Sequence, residues 1–231
     1  MEQLFNGFTL ELSKNSFPLT TDSIALAEFV KLDRNARVLD LGSGCGTLGL
    51  LLCATDSHCH VCGIEIDTAA HAMALQNISR NMVQDRLTSI CGDLRAISKF
   101  ANAGSFSCCV SNPPYFSAGP QSQTVPNARR EDLCNMEDLI RSSAWAMKYG
   151  GDLFLVHRPE RLAELIAIGA KYGLEAKRLR LLRHVCDGPV SLILIQFRKG
   201  AKPGLVWEEV FLQNADRTPS AYYRKLYHKE D

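Results

Sequence analysis

A buried strand that runs straight into three alternating glycines constrains this chain more than any other feature. Val38-Leu39-Asp40-Leu41 is followed by Gly42-Ser43-Gly44-Cys45-Gly46 and then by a leucine-rich stretch to Ala54. A strand, a glycine turn and a helix in succession let the backbone approach a ligand closely. From residue 37 onward, strand-like runs (37–41, 61–66, 87–91, 106–111 and 153–157) alternate with helical patterns (46–54, 68–81, 136–148 and 159–172). That alternation predicts an α/β fold, a parallel sheet covered by helices on both faces. Two further runs, 175–182 and 191–197, are joined without room for a helix, so the sheet should end in an antiparallel hairpin. Asp67 suits the N-cap of its helix, and Gly150-Gly151 should stop the helix that opens at Met136.

The 231 residues suffice for one α/β domain with a small appendage. Residues 1–36 read as an opening segment with a strand near 7–12 and a helix over 22–31. Residues 37–200 form the core, and 201–231 a tail packed on it. No apolar run approaches the ~18 residues that span a bilayer. The first residues, Met1 to Asn6, lack the basic and apolar parts of a signal peptide, which points to a cytoplasmic protein. Nine cysteines, an odd number, do not suggest a disulfide framework in such a chain. Cys59 and Cys62 have metal-binding spacing, but within a strand they face opposite sides, so no metal is expected. The net charge of +1 is no global signature of a nucleic-acid binder. Basic residues do cluster locally, at Lys177, Arg178, Arg180, Arg183 and His184 and again at Arg217, Arg224, Lys225 and Lys229. Each cluster is either a solvated face or a contact for a polyanion. A monomer or a weak dimer is expected.

Dinucleotide folds hold pyrophosphate with Gly-x-Gly-x-x-Gly; here the spacing is Gly-x-Gly-x-Gly, with Asp40 two residues ahead. A carboxylate there would repel a pyrophosphate. It would attract an ammonium, such as that on the methionine end of S-adenosylmethionine. Glu65 ends the second strand about twenty residues further on, where an acid accepts from both hydroxyls of a ribose. Asp93, after the third strand, can receive an adenine amino group or serve as a helix cap. Ile66 and Leu94 offer apolar faces to the ring. Asp40, Gly42, Gly44, Gly46, Glu65, Ile66, Asp93 and Leu94 are thus the candidate cofactor-binding residues.

The motif that names a reaction is Asn112-Pro113-Pro114-Tyr115, directly after the fourth strand. Two prolines fix φ and leave no backbone donors, so the local chain presents carbonyls. The Asn112 side-chain carbonyl and the Pro113 backbone carbonyl can then accept both hydrogens of a substrate NH2. Such acceptors localise a lone pair that is otherwise delocalised into a ring or carbonyl. Tyr115 offers an aromatic face to a planar substrate, a contact worth ~1–3 kcal/mol for a base. No serine, cysteine or histidine arrangement suggests covalent catalysis. The polar loop over residues 117–131 is the longest irregular segment, and long loops in compact domains are usually functional or disordered.

Together these motifs resemble the class I S-adenosylmethionine-dependent methyltransferases of the N6-adenine and N5-glutamine type. Within that group the chain is similar to the bacterial family that methylates adenine 37 of valine tRNA. The likeness extends to Phe17-Pro18-Leu19-Thr20-Thr21-Asp22-Ser23, Arg129-Arg130-Glu131, His157-Arg158-Pro159-Glu160-Arg161-Leu162, Lys199-Gly200-Ala201-Lys202-Pro203-Gly204 and Tyr222-Tyr223-Arg224-Lys225-Leu226-Tyr227. The resemblance implies a Rossmann-like fold with a seven-stranded, mostly parallel sheet and an antiparallel final hairpin. It implies S-adenosylmethionine as cofactor, with Thr21 near its carboxylate, and RNA, a tRNA in the first instance, as partner. Glutamine methylation of a protein, and N6-adenine methylation of DNA or ribosomal RNA, remain alternatives. So do a non-catalytic RNA-binding module and, weakest, a nicotinamide dehydrogenase.

Overall fold

A computed structural model describes residues 1–13, 19–113 and 135–227. Strands β1 (Glu2–Gln3) and β2 (Thr9–Leu10) form a small antiparallel ribbon, followed by helix α1 (Thr21–Phe29). The alternating core then runs β3 (Arg37–Leu41), α2 (Thr47–Thr55), β4 (His60–Glu65), α3 (Thr68–Arg80), β5 (Leu87–Cys91) and β6 (Phe106–Ser111). Helix α4 (Met136–Ala146), β7 (Met147–His157), α5 (Leu162–Lys171), β8 (Leu174–Val185), β9 (Val190–Lys199), β10 (Val206–Gln213) and α6 (Ala221–Leu226) complete it.

Alternation along the central strands sets the layers, because successive side chains leave opposite faces of a sheet. Val38, Cys108, Val110, Phe154 and Val156 join one core with α1, α2, α3 and α6. Leu39, Leu41, Cys109, Leu153 and Leu155 join a second core with α4 and α5. Among the described residues, the sheet between them has eight strands in the order β10-β8-β9-β7-β6-β3-β4-β5. Of these strands, only β9 runs against its neighbours, β7 and β8. The expected antiparallel hairpin is thus present, and the methyltransferase-like sheet is as the motifs implied.

Three features differ from expectation. The sheet has eight strands rather than seven, because β10 from the C-terminal stretch pairs in parallel with β8. It is an edge strand whose first residues, Val206, Trp207, Glu208 and Glu209, are all exposed, so no burial period marks it in the sequence. Helix α4 stops at Ala146 rather than at the glycines; Gly150 and Gly151 lie within β7, where the register with β6 shifts. The Lys199 ammonium caps that helix end, donating to the carbonyl of Met147 at 2.8 Å. The strand expected over 7–12 is shorter, and it is α3 that holds it. Asn81 donates to and accepts from the Thr9 backbone, and Asn77 does the same for Glu11.

Cys59 packs in the first core and Cys62 against the second, on opposite sides as expected. No helix among the described residues is long and apolar enough to cross a membrane.

Candidate active site

The chain order reverses between β3 and β6: β4 and β5 lie to one side of the pair, β7 to the other. Such a switch point opens a crevice at the carboxyl ends of the strands, where ligands of open α/β sheets bind. The glycine turn leaves β3 there, and Asn112 leaves β6.

Gly42, Gly44 and Gly46 have φ of 73°, 56° and 84°, a left-handed backbone that side chains disfavour. The Gly42 and Ser43 N–H groups both donate to the Ile64 carbonyl, and Gly44 N–H donates to Glu65 Oε2 at 2.8 Å. The other Glu65 oxygen accepts from Asp67 N–H at 2.8 Å. Glu65 is therefore oriented by the backbone of its own strand end and of the turn. Asp67 caps α3, accepting from Ala69 and Ala70, as its position suggested. Asn77, fully buried on α3, donates to the Cys45 carbonyl at 3.0 Å and ties the turn to the N-terminal ribbon. Sequence reading missed this residue, since a buried asparagine within a helix carries no local signal.

Asp40 is 1% exposed, and neither of its carboxyl oxygens has a hydrogen-bond partner among the described residues. Burial, reinforced by the nearby Glu65 carboxylate, pushes its pKa from 3.8 up to about 7. The Ser43 hydroxyl is likewise buried without a partner there. It packs against Gly63, where a Cβ would lie 2.6 Å from it. Buried polar atoms of this kind are costly unless a ligand satisfies them.

Further along the crevice, Ile66 is 45% exposed, unusual for so large an apolar side chain beside a buried acid. Asp93 and Leu94 follow β5 at the start of a 3-10 turn, which Asp93 caps by accepting from Arg95 N–H. The Arg95 guanidinium also grips the Asp93 carboxylate, at 2.6 Å from its terminal nitrogen, and holds that pKa below the ordinary range. An adenine amino group would thus share Asp93 with Arg95. These residues fit S-adenosylmethionine: an unpaired buried acid for its ammonium, Glu65 for its ribose, and Ile66 and Leu94 for its base.

Asn112 is half-buried and Pro113 fully buried. The Asn112 amide nitrogen donates to the Ser23 hydroxyl of α1 at 2.9 Å. Just before it, the Ser111 hydroxyl donates to the Leu41 carbonyl at 2.6 Å, pinning the end of β6 to the end of β3. Thr21, in the first turn of α1, has its hydroxyl 2.8 Å from that of Tyr227, at the end of α6. Pro114, Tyr115, Phe17, Pro18, Arg129, Arg130, Glu131 and the 117–131 loop lie outside the described residues. His157 ends β7 fully buried, its Nδ1 accepting from Arg158 N–H. Burial, with the Arg161 cation adding to it, pushes its pKa down to about 4, so the ring is neutral at physiological pH.

The basic segment 177–184 is for the most part internally neutralised. Arg180 is 7% exposed and bridges Glu28 of α1 and Glu208 of β10. Arg183 pairs with Glu209, and Arg178 stacks 4.3 Å above the Phe29 ring. Arg178 and Arg180 are two apart on one strand, so both turn towards α1. The expectation of a polyanion contact therefore does not extend to Arg180; only His184 of the segment is exposed.

Residues 19–167 match the family described as "Methyltransferase small domain". A tRNA1(Val) (adenine(37)-N6)-methyltransferase of Pectobacterium carotovorum is 34% identical over 226 residues, covering 96% of this chain and 90% of its own. One of Bacteroides fragilis is 30% identical over 196 residues, covering 84% and 82%. A solved structure of a predicted O-methyltransferase from Agrobacterium tumefaciens, 21% identical, superimposes with a TM-score of 0.75 over 90% of this chain and 95% of its own. That likeness supports the fold alone. With the glycine turn, its acids and Asn112 gathered at one switch point, the chain belongs to the methyltransferase small domain family, alongside these relatives, and is an S-adenosylmethionine-dependent methyltransferase.

Proposed function

We propose that the protein methylates the exocyclic N6 amine of an adenine in RNA, that the RNA is a tRNA, and that adenine 37 of valine tRNA is the first target to test. The observation that carries this reading is the position of Asn112 and Pro113 at the switch point beside the glycine turn. The names of the relatives support the choice of nucleotide.

The N6 amine is a poor nucleophile because its lone pair is shared with the ring. The Asn112 side-chain oxygen and the Pro113 carbonyl each accept one of its hydrogens. Two acceptors draw the nitrogen towards tetrahedral geometry and return the lone pair to it. When bound, S-adenosylmethionine supplies the electrophilic methyl group. Asp40 and Glu65 would hold its ammonium and its ribose, and Thr21, in the first turn of α1, would meet its carboxylate. No general base is required, since the alkylated amine is acidic enough to lose its proton to water. Rate enhancement comes mainly from proximity and orientation. The target base leaves its stack to reach Asn112, as enzymes acting on a base require. A tRNA substrate would place the protein in the cytoplasm.

Purified protein with labelled S-adenosylmethionine should label unmodified valine tRNA, and nucleoside mass spectrometry should find N6-methyladenosine. Label only in protein would favour the glutamine reading, and label only in DNA would exclude the RNA substrate.

A further inference from the structure

We infer that Ser23 is a positioning residue for methyl transfer: it holds the Asn112 carboxamide by its nitrogen, so that the oxygen is presented to the substrate. The inference rests on the reading of Asn112 as an acceptor for an amine.

A primary carboxamide has two ends of nearly equal shape and opposite hydrogen-bonding character. Turned by half a rotation, Asn112 would meet a substrate NH2 with its own NH2, and neither could accept. In the structure the nitrogen is the bonded end, and the hydroxyl it meets accepts from it. Ser23 Oγ lies 2.9 Å from Asn112 Nδ2, and Ser23 is 7% exposed, so water competes little for that bond. With the nitrogen tethered to α1, the oxygen is the end left for a substrate.

The tether is attached to fixed points at both ends. On one side, Ser111 pins the backbone before Asn112 to Leu41. On the other, α1 is seated by fully buried Ala25 and Leu26 and by Phe29, whose ring meets Phe154 edge-on at 5.9 Å. Ser111 thus sets where Asn112 stands, and Ser23 holds its carboxamide with the nitrogen towards α1. Helix capping does not account for Ser23. The N-cap of α1 is Thr20, and Ser23 is the third residue of the helix proper. Nor does the cofactor reading require it, since that reading uses Thr21.

Single-turnover rates with tRNA are to be compared for wild type, Ser23→Ala, Ser23→Thr, Asn112→Ala and the double variant Ser23→Ala/Asn112→Ala. Losing one orienting hydrogen bond should slow Ser23→Ala about tenfold (~1.4 kcal/mol), with KM for S-adenosylmethionine unchanged. Ser23→Thr keeps the hydroxyl and should restore most of the rate. The double variant should be no slower than Asn112→Ala alone. In ligand-free protein labelled with 15N-asparagine, the two Asn112 amide protons should move towards free-carboxamide shifts in Ser23→Ala, and this needs no substrate. A Ser23→Ala variant with wild-type rate beside an inactive Asn112→Ala overturns the inference, as do penalties that add in the double variant or unmoved amide shifts. Full activity in Asn112→Ala would instead sink the amine reading itself, whatever the amide shifts report.

Discussion

Asp40→Asn should make the ligand-free protein more stable at pH 8 and a poorer binder of its cofactor. An ordinary aspartate titrates at 3.8 and this one at about 7. Each intervening pH unit is worth ~1.4 kcal/mol. The folded state therefore binds a proton that the unfolded chain has already released, and stability falls as pH rises from about 4 to about 7. The loss is on the order of 1–2 kcal/mol at pH 5 and on the order of 4 kcal/mol at pH 8, where the buried carboxylate is largely ionised. Asparagine has nearly the shape of the protonated acid and cannot ionise, so the variant escapes this pH-dependent loss. For a chain of this size the difference amounts to a rise on the order of 10 °C in Tm at pH 8, and less than half of that at pH 5. Thermal melts of both proteins from pH 5 to 8.5 read it directly. Parallel Tm profiles, or a wild type that gains on the variant with rising pH, would refute the assignment of Asp40 as a buried, unpaired acid. Calorimetry with S-adenosylhomocysteine completes the test. Its ammonium prefers the ionised acid, so wild-type affinity should improve as pH rises through 7, and the variant should bind more weakly with a flatter pH dependence.

Gly63→Ala places a Cβ 2.6 Å from Ser43 Oγ; the forced shift of the glycine turn should cost about 1–3 kcal/mol in denaturant unfolding and weaken cofactor binding in titration. Tyr227→Phe removes the contact with the Thr21 hydroxyl. A several-fold rise in KM for S-adenosylmethionine, exceeded by that of Thr21→Ala, is expected if Thr21 serves the cofactor. Arg180→Ala deprives Glu28 and Glu208 of their shared cation and should cost about 3 kcal/mol, part of the buried-pair penalty being relieved by the exposure of Glu208. Urea melts at low and high salt measure it.

The parts of the fold that were legible are those with a periodic apolar pattern or a turn residue with a fixed conformation. The central strands announce themselves because both faces are buried, as at Phe154-Leu155-Val156. The glycine turn announces itself because only glycine tolerates three positive φ values in five residues. The edge strand β10 does neither. The basic run at 177–184 was legible as charge, but its counter-charges, Glu28, Glu208 and Glu209, come from a helix and a strand far away in sequence. The same holds for Ser23 and Asn77. Ser23 acts through one hydrogen bond and Asn77 through three, all to segments dozens of residues away, and nothing local distinguishes either from an ordinary helical residue.

Those distant contacts converge on α1, and this bears on how the site works. The first turn of this helix carries Thr21, bonded to the C-terminal helix, and Ser23, bonded to Asn112. Its last turn carries Glu28, which takes Arg180 and Lys225, and Phe29, under Arg178. Nine helical residues span only about 13 Å, Ala25 and Leu26 are fully buried, and the last residue, Phe29, meets Phe154 of β7 edge-on. A body so short and so well seated moves as a unit, because close-packed interiors do not deform gradually. The ion pairs at its far end are therefore expected to do more than neutralise a basic strand, by holding the pitch at which its first turn offers Ser23 to Asn112. Loss of Arg180 should accordingly lower kcat beyond what the fraction of folded protein explains. Glu209→Gln, which disturbs a more exposed pair away from α1, should leave kcat unchanged.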